Sequence, residues 1–192
     1  AGRSDKLDDL EVRFPMPFKS EFERSAKAEK IDQEWLYAVA RQESAFNERA
    51  RSSAGALGLL QMLPGTAQLV ARETGRSIRT KQLYQPEYSV RFGASYLRQL
   101  SDEFNGNRIL ATASYNAGPN RIKRVLENQG SALPFDIWLE NLPYTETRHY
   151  VQNVLAYSVI YQRRMGLKPS GMISANERII SLENGIKTAA TR

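Results

Sequence analysis

Apolar residues recur along most of the chain three and four positions apart, the spacing of a helix face. No segment settles into the two-residue alternation of a half-buried strand. A helix is predicted from about Lys19 to Glu29. A stronger one follows Asp32, a good N-cap residue, with Trp35, Leu36, Val39 and Ala40 on one face as far as about Ser44. Pro64 opens a further helix that stops near Gly75, with proline inside the start and glycine past the end. A long helix begins near Pro86, carries Phe92, Tyr96, Leu97, Leu100 and Phe104, and ends at Asn105-Gly106. Two more run from about Arg108 to Ala117 and from Pro119 to about Asn128. A short segment follows near Phe135 to Leu139, and then a helix from Thr145 to Met165, lined by Tyr150, Val151, Val154, Leu155 and Ile160. A weak helix is predicted near Ala175 to Leu182, before a polar end. The pattern gives an all-α, orthogonal helical bundle, with room only for a small ribbon that it does not locate. Residues 1–17 read as a lead-in, 18–168 as one domain and 169–192 as a C-terminal extension.

Composition narrows the chemistry. A chain of 192 residues, 41% hydrophobic and 25% charged, suits one globular domain with short extensions. No apolar run approaches the roughly 20 residues that span a bilayer. The start, Ala1-Gly2-Arg3, lacks Met and a signal pattern, so the chain reads as a mature form or a piece of a longer protein. With no cysteine, disulfides, thiolate nucleophiles and Cys-based zinc sites are excluded. The single histidine, His149, makes a His-cluster metal site or a Ser-His-Asp triad hard to assemble. Carboxylates, hydroxyls and amides are left to do the work. A net charge of +6 suits an anionic polymer as partner, nucleic acid or acidic cell wall, although on charge alone a mildly basic soluble surface is the preferred reading.

Glu43 is the most informative position. It follows Leu36 by seven residues, Val39 by four and Ala40 by three, which places it on the apolar stripe, with Gln33, Arg41 and Gln42 elsewhere. A desolvated carboxyl resists ionisation and can act as a general acid near neutral pH. Against this, Glu43 lies near a helix end, where the stripe meets solvent and an Arg partner is ordinary. Gly55-Ala56-Leu57-Gly58-Leu59-Leu60-Gln61 is a small-residue turn whose Gln61 amide suits a sugar hydroxyl or N-acetyl group. Tyr115-Asn116-Ala117-Gly118-Pro119 puts an aromatic hydroxyl and an amide at a sharp turn, or simply ends a helix. Glu146 sits in a first helical turn, where the helix dipole favours its charge. Arg148 is placed to pair with either Glu43 or Glu146.

Four stretches occur in order: Glu43-Ser44, Gly58-Leu59-Leu60-Gln61, Ser114-Tyr115-Asn116-Ala117-Gly118, and Glu146-Thr147-Arg148-His149-Tyr150. Together they closely resemble the soluble lytic transglycosylase family, over roughly Phe14 to Met165. Leu60 stands where the family usually has Met, and Ser114 where it has Ala. The resemblance implies a lysozyme-like fold related to goose-type lysozyme and cleavage of peptidoglycan glycan strands. It implies that Glu43 is both acid and base, that the substrate's N-acetyl group assists, and that a 1,6-anhydromuramoyl end forms. It implies that Ser52, Gln61, Tyr115 and Asn116 contact the glycan, that Leu63 lines the cleft, and that Glu146 lies near the site without being a nucleophile. No metal or organic cofactor is implied. The family setting is the periplasm, and its larger soluble members join this domain to an N-terminal helical ring, which would lie outside this chain.

Three rivals remain at this stage. One is a lysozyme-type hydrolase with Glu146 activating water. Another is a non-catalytic peptidoglycan-binding module. The third, a basic nucleic-acid binder, ranks low because no helix-turn-helix or basic arm occurs.

Overall fold

A computed structural model describes residues 4–168 and 171–186. The polar end expected after them lies outside the described residues. Among the described residues ten helices follow in order: α1 Ser4–Arg13, α2 Lys19–Glu29, α3 Gln33–Ser44, α4 Pro64–Glu73, α5 Pro86–Glu103, α6 Arg108–Ala117, α7 Pro119–Glu127, α8 Phe135–Glu140, α9 Thr145–Arg164 and α10 Leu182–Gly185. Short 3-10 turns occupy Thr80–Tyr84 and Ala175–Glu177. Proline stands in the first turn of α4, α5 and α7, where its missing N–H would have had no helical partner. The ribbon that periodicity did not locate is β1 Leu133–Pro134 paired antiparallel with β2 Ile179–Ile180. Two residues per strand are too few to show alternation.

The sequence suggested a one-sided stripe on α3, and the structure corrects this. Every residue from Glu34 to Ala40 is buried, because α3 is the central helix, packed against both α9 and α2. Asp32 occupies the N-cap position but makes no side-chain cap bond; its carboxylate lies 3.5 Å from Arg108 instead. Small residues at Ala38 and Ala40 let neighbouring helices approach on all sides.

α9 separates two apolar clusters. Tyr150 and Val154, four apart, face the cluster around α3, whereas Val151 and Leu155 face a second one built on Ile109, Leu110, Trp138 and Ile180. The N-terminal stretch is tied in by its carbonyls. Tyr37 donates to Pro17 O at 2.9 Å, Tyr161 to Pro15 O at 3.2 Å, and Arg164 to Phe14 O. The C-terminal stretch is held by Glu177, whose side chain is fully buried and accepts from Arg108 Nε at 2.8 Å, Arg108 Nη2 at 3.1 Å and the Ser174 N–H at 2.7 Å.

Candidate active site

The end of α3 is fastened to the following loop by Ser44, whose hydroxyl donates to Leu59 O at 2.9 Å. That loop folds on itself. Leu57 and Met62 exchange backbone hydrogen bonds, the Gly58 N–H donates to Ala50 O, and Ser52 Oγ accepts from the Ala56 N–H at 3.0 Å. Gly58 has φ +72°, and a Cβ there would stand 1.9 Å from Leu83 O, so only glycine lets the loop press against its neighbour. Gln61 also takes a left-handed backbone, φ 44°, an unusual state for a residue with a side chain. Its amide nitrogen holds the turn by donating to Ala50 O at 3.1 Å and Gly58 O at 2.9 Å. The expected sugar-binding amide therefore offers its Oε1, an acceptor, with its donors already engaged.

Opposite, Gly118 ends α6 and opens α7 with φ +90°. Tyr115 donates to Leu60 O at 2.7 Å and packs beside Tyr96, ring centroids 5.4 Å apart. Its hydroxyl proton is thus spent inside the protein, and its ring is what remains for a ligand. Asn116 joins α6 to the start of α9, accepting from Thr147 Oγ1 at 2.6 Å and reaching Glu146 Oε1 at 3.4 Å.

These two walls enclose a groove of about 640 Å³. Glu43, Ser52, Gln61 and Leu63 line it on one side, Tyr115, Asn116 and Glu146 on the other. All seven residues singled out in the sequence therefore meet in one place. Leu63 is 44% exposed, an apolar side chain presented to the opening. Met62, Tyr96 and Thr66 also line the groove and carried no sequence signal.

Glu43 has no arginine partner. Its Oε1 accepts from the Tyr150 hydroxyl at 2.6 Å. Burial pushes its carboxyl up to about 7; the Tyr150 hydrogen bond pulls the other way, and the charge of Glu146 adds to the rise. The Tyr150 phenol is itself held well above its ordinary range by burial and by Glu43, so it remains a donor. Sequence reasoning placed Tyr150 on a core face and missed this contact. The signal was its position four residues after Glu146, one turn along the same helix. Arg148, expected beside Glu43 or Glu146, lies 3.5 Å from Glu140 and donates to Leu142 O. α9 carries it to the side facing α8, away from the groove carboxylates. Among the described residues no cluster of three potential ligands could hold a metal ion, and no helix is long and apolar enough to cross a membrane.

Known proteins resemble this chain in sequence and fold. The family model described as the Transglycosylase SLT domain matches residues 20–137, and one described as the soluble lytic transglycosylase helical domain matches residues 141–169. The chain is 41% identical over 173 residues to the soluble lytic murein transglycosylase of Escherichia coli K12, covering 88% of this chain and 26% of that protein. It is 30% identical over 129 residues to membrane-bound lytic murein transglycosylase D of the same organism, covering 66% of this chain and 28% of that one. An inactive glutamate-to-glutamine mutant of the lytic transglycosylase Slt from Pseudomonas aeruginosa superposes with a TM-score of 0.85 at 44% identity, covering 91% of this chain and 28% of that one. The 70 kDa soluble lytic transglycosylase of Escherichia coli gives the same score at 39% identity, over 91% of this chain and 28% of that one. The chain thus spans about a quarter of the length of these relatives. The all-helical, lysozyme-like class expected from periodicity and resemblance holds against these structures. Since the first family match alone takes in more than half of the sequence, Glu43, Gln61 and Tyr115 included, the chain belongs to the Transglycosylase SLT domain family.

Proposed function

We propose that this chain is the catalytic part of a peptidoglycan lytic transglycosylase. It cleaves the β-1,4 bond between N-acetylmuramic acid and N-acetylglucosamine, leaving a 1,6-anhydromuramoyl end. The observation that carries the reading is one carboxyl: Glu43 lies in the groove, bonded to Tyr150 and pushed up to about 7 by burial. A neutral carboxylic acid beside a glycan can protonate a leaving oxygen.

Glu43 gives its proton to the glycosidic oxygen as the bond from that oxygen to the muramoyl C1 breaks. The substrate's N-acetyl carbonyl oxygen bonds to C1 and spreads the positive charge as an oxazolinium. Glu43, now anionic, takes the proton of the muramoyl C6 hydroxyl. The C6 oxygen attacks C1, the oxazolinium reopens, and Glu43 is neutral again. No water enters, because the nucleophile is held on the same sugar at high effective concentration. A paired-carboxylate hydrolase needs a second carboxylate as base or nucleophile. Glu146 instead sits exposed at the groove edge beside Asn116, where its charge holds the Glu43 proton in place.

In this reading the Oε1 of Gln61 accepts from a sugar hydroxyl or amide N–H. The Tyr115 ring and Leu63 meet apolar sugar faces, and Ser52, Asn116 and Glu146 line the polar edges. The proposed setting is the periplasm, with an N-terminal helical ring contributed by sequence outside this chain. The names of its relatives, soluble lytic murein transglycosylase among them, support a murein substrate. Digestion of purified peptidoglycan tests the proposal. Wild type should release fragments one water lighter than hydrolysed ones, and Glu43→Gln should release none while still binding glycan. Fragments of hydrolysed mass would overturn the transglycosylase step.

A further inference from the structure

α3 ends at Ser44, one residue after Glu43, and the chain leaves it through a costly turn. Ala45 and Phe46 are the central residues, with φ 49° and 66°, and the Asn47 N–H closes the turn on Ser44 O at 3.0 Å. Glycine, asparagine or aspartate ordinarily fills such a turn, because a Cβ crowds the left-handed backbone. Among the described residues no other two adjacent non-glycine residues share that state.

The Phe46 ring sustains the strain. It enters an aromatic cluster edge-on, its centroid 5.9 Å from Tyr37, 6.2 Å from Phe22 and 6.4 Å from Tyr161, with interplanar angles of 63°, 71° and 87°. The receiving rings are themselves fixed. Tyr37 stacks on Phe22 at 3.9 Å, and the Tyr37 and Tyr161 hydroxyls donate to Pro17 O and Pro15 O. Phe46 does not line the groove, yet it stands between two parts that do. Glu43 precedes it by three residues. Four residues after it, Ala50 O accepts from both the Gly58 N–H and the Gln61 amide nitrogen. The last turn of a helix frays readily, and a frayed α3 would let water reach Glu43.

Resting on the acid role proposed for Glu43, we infer that Phe46 is a positioning residue for catalysis. Seated among Phe22, Tyr37 and Tyr161, its ring clamps the end of α3 so that Glu43 stays against Tyr150 and the Gln61 turn stays beside it. Strain next to a site, held by packing behind it, is the physical signature of such a clamp. The titratable groups coupled to Glu43 are Tyr150 and Glu146 on α9 and Tyr115 on α6, and none of them lies on the turn. A change in the acidity of Glu43 on replacing Phe46 therefore reports water at the carboxyl, not a lost charge.

The test compares peptidoglycan cleavage by wild type, Phe46→Ala, Phe46→Leu and Phe104→Ala across pH. Phe104→Ala removes a fully buried ring from the other apolar cluster and serves as the packing control. Phe46→Ala should lower kcat about tenfold or more, the scale of a misplaced catalytic group, with KM within about twofold. Its fall of kcat/KM should also move to lower pH, because hydration removes part of the burial that raises Glu43. Phe46→Leu keeps apolar bulk without the ring edges and should shift the profile the same way by less; it carries the comparison where Phe46→Ala does not fold. Phe104→Ala should melt earlier than wild type and keep its pH profile. An unchanged profile in the Phe46 variants, or an equal shift in Phe104→Ala, would overturn the inference. If wild type cleaves nothing, the lytic reading fails instead, and carboxyl-carbon NMR then decides. Glu43 should titrate lower in the Phe46 variant than in wild type, and equal values refute the clamp.

Discussion

The proposed chemistry comes down to whether one carboxyl keeps its proton. Glu43 must be neutral to act as an acid, so kcat/KM should fall as pH rises through about 7, the value to which burial pushes it. The Tyr150 hydrogen bond favours the charged form of Glu43. Tyr150→Phe should therefore move that fall to higher pH, a shift that loss of packing alone would not produce. The same group affects stability. Its folded value lies above the ordinary 4.5, so its contribution is fully present below about pH 4.5 and is lost as pH rises through about 7. Glu43→Gln removes that loss. In denaturant melts the variant should match wild type near pH 4 and exceed it by about 2–3 kcal/mol near pH 8.

At the level of elements, the groove depends on backbone turns more than on helices. Gly58→Ala would set a methyl group against Leu83 O and force a left-handed backbone on alanine. Its cost should be about 3 kcal/mol or more, measured by thermal melting, with catalysis lost as the loop carrying Gln61 shifts. Helices α2 to α7 and α9 were legible in the sequence because each carries periodic apolar residues, and α4, α5 and α7 announce themselves with proline, whereas α8 showed only as a short segment. The ribbon was not, since two-residue strands leave no period to read. Neither was the all-round burial of α3, because α9, which packs against it together with the neighbouring α2, is remote in sequence. Glu43 was legible from its offsets to Leu36, Val39 and Ala40. Its partner Tyr150 was not, being 107 positions away on a helix with apolar residues on two faces.

Across the whole molecule, two apolar clusters meet at α9, and the terminal stretches hold them from outside. Burial alone would raise the Glu177 carboxyl, but Arg108 and the Ser174 N–H outweigh it and hold it below its ordinary range. Its contribution is therefore present above the unfolded value and lost as pH falls through the folded one. Glu177→Ala leaves Arg108 with only its longer contact to the exposed Asp32 and should cost about 3 kcal/mol in urea melts at neutral pH, freeing β2 from β1. What this architecture achieves is the drying of one position: α3 at the centre, α9 across it, and the Gly58 and Gly118 turns closing a groove around Glu43. The most direct measurement is a carboxyl-carbon NMR titration of wild type beside Glu43→Gln. One resonance, missing from the variant, should titrate near 7; if every glutamate carboxyl titrates below about 5, the acid role assigned to Glu43 is wrong.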